Sequence, residues 1–416
     1  MGGFAIYFVL LVGVLLIMWL VMAAPVGVRS VSQNVRIATG RKLLWHALHP
    51  FGDQGTWHHS AQDVLRFSDH TGRIVTGHTG RDGQPIKRDF VLFDEAPGEG
   101  YGLRYTDDTS LASTFWEHHH QQVRIRAIDD GTCVVTLRET DRYRGIAFYV
   151  YRYFALRRMT RQLKEWAETG SYTKGGWFDR PITQFAMAAL STCLVWPLFG
   201  LTPQGFFLAA TLTLIVALHE LGHVAAFRIS GHETARMVFL PLLGGFAMGG
   251  RPYNTHFEIA FAALMGAGFS AFLAAGLWAL HATGWLSGLA AQAVLVAALM
   301  CALFNLGNIL PVWKFDGGQL LRQVFRNRAA LYGVSIALLA GLAVFAHGLG
   351  VPASVVGIGL AVVVGLTVLT GTNTIKPRHA LVPMTKGERA LAFAGLLAVI
   401  TIHASVLQWS LSTLFA

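Results

Sequence analysis

The sequence predicts a multi-pass α-helical membrane protein of about eight spans, with a soluble α+β domain inserted after the first. Three observations carry this reading. The 416-residue chain is 53% hydrophobic and only 13% charged, a balance that suits a bilayer better than water. Its Lys and Arg fall in four blocks, Arg29 to Arg180, Arg228 to Arg251, Lys314 to Arg328 and Lys376 to Arg389, and the apolar stretches between them hold none. Cytoplasmic loops under the positive-inside rule produce this pattern. The net charge of +10 is thereby accounted for, and nucleic acid is excluded as the expected partner. Third, Val31 to about Gly170 is polar and alternates like strands, unlike the rest of the chain.

The first element, Phe4 to Ala24, is long enough to span a bilayer. No Lys or Arg precedes it and Arg29, Arg36, Arg41 and Lys42 follow it, so an anchor is preferred to a cleaved signal peptide, which carries its charge ahead of the apolar run. Residues 1–28 are read as this N-terminal anchor, with the next domain cytoplasmic.

Residues 29–180 form the soluble domain. VSQNVRIAT reads as a strand and RKLLWHALHP as a short helix. QDVLRFSD, GRIVTGHT, KRDFVLFDE, GYGLRYTD, HHQQVRIRAID and CVVTLRET read as further strands, separated by turn residues such as Asp82-Gly83, Pro97-Gly98 and Asp130-Gly131. A long helix, Gly145 to Glu168, closes the domain, with Phe148, Tyr151, Ala155, Met159, Leu163 and Trp166 as its expected apolar face. Strand, short helix, antiparallel run and long last helix: this order resembles the helix-grip fold of START and Bet v 1-like domains. The resemblance implies a module for a hydrophobic ligand or a docking partner. His58-His59 and His118 to His120 are weighed as metal ligands, but neighbours on a strand face opposite ways, so a polar strand edge is preferred.

Seven further spans follow: Ile182 to Leu201, Phe206 to Ile229, His256 to Leu280, Trp285 to Leu310, Ala329 to His347, Val351 to Thr370 and Ala390 to Leu414. Residues 181–328 are read as a catalytic membrane core and 329–416 as C-terminal transmembrane helices. Turns near Thr202, Ala282 and Gly350 lack Lys and Arg, so both termini are expected outside. Cys133, Cys193 and Cys301 are single and unpaired in spacing, which argues against both a disulfide framework and a cysteine zinc site.

The chemistry is carried by VALHELGHVAAF, Val216 to Phe227, inside the third span. His219 and His223, at i and i+4, lie one turn apart on one helix face and can share a metal ion. Glu220 is rotated about 100° from His219, which sets its carboxylate beside a metal-bound water rather than on the metal. This is the H-E-x-x-H arrangement of zinc hydrolases, two ligands and a general base. Ionisable groups inside a span are a functional signal in themselves. Arg228 follows His223 by five residues, putting the motif within about 8 Å of the cytoplasmic end. A third ligand is needed, and the acidic candidates are Glu258 and Asp316. Glu258, at the start of a span, is read as structural. Asp316, in FNLGNILPVWKFDGGQLLR, follows a span that returns the chain to the cytoplasmic side, and Pro311, Gly317 and Gly318 loosen the backbone around it.

HELGH in one span and N-x-x-P-x-x-x-x-D-G-G closing a later one resemble the site-2 protease family of intramembrane zinc metalloproteases. Asn308, Pro311, Asp316, Gly317 and Gly318 fall on the second motif, and the likeness covers roughly Ile182 to Arg326. The family's Gly-Pro-x-x-Asn run stands here as Gly266-Ala267-Gly268-Phe269-Ser270, with Ser in place of Asn. The resemblance implies one Zn2+ on His219, His223 and Asp316, Glu220 as the base, and a transmembrane protein as substrate, at a bacterial inner membrane. It also implies that Arg236 to Gly250 is a membrane-associated β-hairpin turning at Gly244-Gly245, which receives unwound substrate as an added strand; a re-entrant loop without substrate contact is the alternative. Asn308 and Asn305 are candidates for oxyanion contact. A non-proteolytic membrane sensor, its cytoplasmic domain binding a lipid or hydrophobic ligand, competes with the protease. Glu220 counts against it, because a structural zinc site closes with a fourth ligand and has no use for a base. A transporter is disfavoured, since no repeat relates the spans.

Overall fold

Alternating apolar and polar residues between Pro25 and Arg144 build seven antiparallel strands. The computed structural model describes residues 16, 19–21, 24–80, 83–176, 180–240, 244–312, 314–370 and 378–415. Its chain divides into two compact units, Met1–Gly176 with Asn373–Ala380, and Trp177–Thr372 with Leu381–Ala416.

In the first unit the order is β1 (Pro25–Ile37), α1 (Arg41–Leu48), β2 (Ala61–Arg66), β3 (Thr71–Thr79), β4 (Pro85–Ala96), β5 (Gly100–Asp108), β6 (His120–Asp129), β7 (Thr132–Arg144) and α2 (Ile146–Thr169). The sheet runs β1-β7-β6-β5-β4-β3-β2. Strands β2 to β7 form a meander, and β1 pairs with β7 in the register Val35 to Val135. The β6–β7 hairpin turns over Asp130-Gly131, where Gly131 N–H donates to Asp129 Oδ1 at 3.0 Å. Helix α2 packs on β1 and β7 and stops at Gly170, whose left-handed φ of 79° suits glycine. This is the element order of a helix-grip domain. Strand β1 starts at Pro25, ahead of the expected Val31 and inside the residues assigned to the anchor.

Apolar side chains pack inside the grip. Ile37, Leu44, Phe90, Leu103, Val135, Leu156 and Leu163 are buried together, with Trp45, Trp57 and Trp166 against them. The apolar face of α2 departs from expectation in its first turns. Leu156 and Leu163 are buried and Met159 and Trp166 pack beside them, but Phe148 and Tyr151 are 50% and 61% exposed. Tyr149 turns inward in their place.

The second unit comprises α3 (Pro181–Val195), α4 (Pro203–Ile229), β8 (Arg236–Leu240), β9 (Gly244–Met248), α5 (His256–Ala282), α6 (Gly288–Asn308), α7 (Asp316–Val324), α8 (Arg328–Gly348), α9 (Ala353–Thr370) and α10 (Lys386–Leu414). Among the described residues six helices are long and apolar enough to cross a membrane: Pro181–Phe199, α4, α5, α6, α8 and α10. Of the eight expected spans, Val351 to Thr370 corresponds to α9, Ala353–Thr370, and Phe4 to Ala24 lies almost wholly outside the described residues. Thr202, Thr255 and Thr385 cap α4, α5 and α10 by accepting from the N–H three residues on. Helix α5 is central, with half of its apolar window buried against none for α8. Its small residues allow this: a Cβ on Gly222 of α4 would run into the Met265 carbonyl of α5, so the two backbones touch.

Candidate metal centre

Helix α4 carries His219, Glu220 and His223 into the packed interior of the second unit, where His219 is 3% exposed. The partner arrives 93 positions later through a turn. Helix α6 ends at Asn308, and α7 begins at Asp316. Between them the chain folds back so tightly that a Cβ on Gly317 would strike the Ile309 carbonyl. Glycine at 317 is therefore required for Asp316 to reach α4. Asp316 Oδ2 lies 3.0 Å from His219 Nε2 and 3.3 Å from His223 Nε2, and the two Nε2 atoms are 3.1 Å apart.

The outer hydrogen bonds decide where the imidazole protons are. His223 Nδ1–H donates to the Ala262 carbonyl at 2.7 Å. Asn305 Nδ2 donates to the Cys301 carbonyl at 2.8 Å, which turns Asn305 Oδ1 toward His219 Nδ1, also at 2.8 Å. With both Nδ1 atoms protonated, both Nε2 atoms present lone pairs to the same point as the carboxylate. Asp316 Oδ2 is buried and receives no hydrogen bond among the described residues. Three such acceptors side by side call for a cation. Ligands about 2.1 Å from a tetrahedral Zn2+ sit about 3.4 Å from one another, close to the separations here. The donor set therefore fits zinc, and it is the single group of this kind among the described residues.

Gly266 of α5 backs the cluster. A Cβ there would lie 2.5 Å from His223 Nε2 and 2.7 Å from His219 Nε2. The sequence pointed to Gly266 only as part of an altered signature; the run of small residues Ala262, Ala263, Gly266 and Ala267 was the available signal. Ser270, which stands where Asn was expected, is fully buried and donates to the Gly266 carbonyl at 3.1 Å.

Glu220 stays off the ligand set, as the motif requires. Its Oε2 accepts from Ala247 N–H of β9 at 2.8 Å. Ala247 pairs with Met237 of β8, and Phe239, on the other edge of the hairpin, donates its N–H to Gln184 Oε1 of α3 at 2.6 Å. One edge is thus closed by α3 while the other faces Glu220. The expected turn at Gly244-Gly245 is corrected: both glycines belong to β9, and the connection falls at 241–243, outside the described residues. Gly245 is needed for close approach, since its Cβ would meet Glu220 Cγ at 2.6 Å, and Gly244 packs beside Val216.

The two asparagines are placed differently from expectation. Asn305 is fully buried behind His219, its carboxamide spent on His219 and Cys301, so it orients the His219 imidazole rather than an oxyanion. Asn308 Nδ2 turns back to the Phe304 carbonyl at 3.0 Å. Glu258 is structural, as read, pairing with Arg251 at 2.8 Å at the start of α5. Near it, His232 is 1% exposed against Phe227 and Tyr253, and burial together with Arg251 holds its imidazole below the ordinary range. His119 is buried beside Tyr105 and bonded to Asp141, not assembled with His118 and His120.

No family model and no curated protein matches the sequence. Solved structures similar to part of the chain include the Aha1 dimer from Colwellia psychrerythraea, at 14% identity and TM-score 0.28, covering 35% of this chain and 99% of that one. A START superfamily protein from Mycobacterium smegmatis is similar at 11% identity and TM-score 0.27, covering 33% of this chain and 96% of that one.

Proposed function

We propose that this chain is an intramembrane zinc metalloprotease of site-2 protease type, hydrolysing peptide bonds within or near transmembrane segments of membrane-protein substrates. The observation that carries the reading is the convergence of His219, His223 and Asp316 on one point with Glu220 beside them and outside the ligand set. A structural site would use a fourth protein ligand in that position. His219, His223 and Asp316 would hold the zinc, which when bound supplies Lewis acidity and an acidified water. Glu220 takes the proton from the attacking water and delivers it to the leaving amine. Asn305 and the Ala262 carbonyl keep both imidazoles in the tautomer that leaves Nε2 free.

Substrate must be unwound before it can react, because helical carbonyls are already hydrogen-bonded. The β9 edge can take up such a segment as an added strand. Its Ala247 N–H is now held by Glu220, so a segment that claims this donor frees the carboxylate for proton transfer. The setting proposed is a bacterial inner membrane, with the soluble domain cytoplasmic and both chain termini outside.

The test uses full-length protein in nanodiscs and a single-span reporter whose span carries a Gly-Pro pair, with products read by mass spectrometry. Cleavage within the span by wild type and none by E220Q is expected, with one zinc per chain in both. Equal cleavage by E220Q, or purified protein without zinc, overturns the proposal.

A further inference from the structure

The first turns of α2 carry an exposed aromatic surface that the fold of the first unit does not use. Ile146, Phe148, Val150, Tyr151 and Tyr153 are 48%, 50%, 43%, 61% and 41% exposed. At 100° per residue they cover a broad face, with Tyr149 turned into the core and Arg152 paired to Glu139 of β7. The exposed positions change character along the helix: Arg157, Arg161, Lys164 and Glu168 occupy them in the second half. An apolar patch restricted to one end of a helix is a contact surface rather than scatter.

Its place in the chain says what it contacts. Gly145, the residue before α2, donates its N–H to the Ala24 carbonyl at 2.7 Å. Ala24 ends the apolar run Phe4 to Ala24 of the sequence, so the aromatic end of α2 begins beside the end of a stretch long enough to span a bilayer. Val28, 46% exposed, and the exposed Arg29 and Arg142 lie on the strands that flank this junction. Tyr and Phe with Arg beside them suit the boundary of acyl chains and headgroups, where rings are buried and guanidinium groups reach anionic lipid.

We propose that the α2 face formed by Ile146, Phe148, Val150, Tyr151 and Tyr153 lies in the bilayer interface and docks the soluble domain on the membrane. The proposal is independent of the protease reading. It is tested by spin labels on full-length C193S protein in nanodiscs containing phosphatidylglycerol, Cys133 and Cys301 being buried. Labels go at Phe148→Cys, Tyr151→Cys and Tyr153→Cys, with Gln62→Cys and Arg161→Cys as exposed comparisons. Collision with oxygen, which partitions into lipid, is compared with collision with a water-soluble nickel chelate. Labels at 148, 151 and 153 are expected to favour oxygen severalfold over those at 62 and 161. Equal access to nickel at all five positions would mean the face is in water. Low access to both relaxants at 148, 151 and 153 would mean that protein covers it. Either result overturns the proposal, and three independent labels guard against one that perturbs the helix.

Discussion

His219 Nδ1 and Asn305 Oδ1 are joined by a 2.8 Å hydrogen bond across 86 residues of sequence, inside the packed bundle. The bond fixes a tautomer, and the tautomer decides that a lone pair rather than a proton meets Asp316. Asn305→Leu is therefore expected to weaken zinc binding by about 10- to 100-fold while leaving the helices assembled. Competition with a zinc chelator measures this; unchanged affinity would remove Asn305 from the site.

Glycine substitutions separate metal binding from proton transfer. Gly266→Ala puts a methyl group against both imidazoles, so zinc content should fall well below one per chain. Gly245→Ala presses instead on Glu220 Cγ. It should retain zinc and lose turnover, and metal analysis beside a cleavage assay tells the two apart.

Glu220→Gln retains the shape of the side chain but cannot accept a proton. Removing a general base costs about 100-fold or more, so turnover should fall by at least that factor at unchanged zinc content. A shift confined to KM would mean that the residue only binds substrate.

In the first unit, burial, reinforced by His59, lowers the His58 imidazole to about 4. The unfolded chain takes up a proton near pH 6.5 that the folded domain refuses. The sign is therefore that this contribution is complete above pH 6.5 and is lost as pH falls from 6.5 toward 4. His58→Asn, which does not titrate, should flatten the thermal stability profile of the first unit across that window. An unchanged slope would show that other groups control it.

Much of this was legible in the chain itself. Local periodicity located all seven strands, with β1 beginning six residues ahead of its expected start, and placed both ends of α2 to within a residue. The H-E-x-x-H spacing named His219, Glu220 and His223 because helical geometry alone puts i and i+4 on one face. Asp316 was found by a chemical need for a third ligand, with the glycines beside it as support. The same local rule misassigned Phe148 and Tyr151, because periodicity tells which residues share a face but not whether anything covers it.

Local pattern settled what each segment can be: apolar helices, a meander of strands, a helix bearing His219, Glu220 and His223. Which distant groups meet was left to the packing of the helices. It set Asn305 behind His219, Gly266 against both imidazoles and Ala247 on Glu220, and it moved Gly244-Gly245 from the turn into the strand. The reason is physical. A residue's covalent neighbours fix its backbone preference, whereas hydrogen-bond partners and close approaches depend on how whole helices pack, and no short-range pattern encodes that.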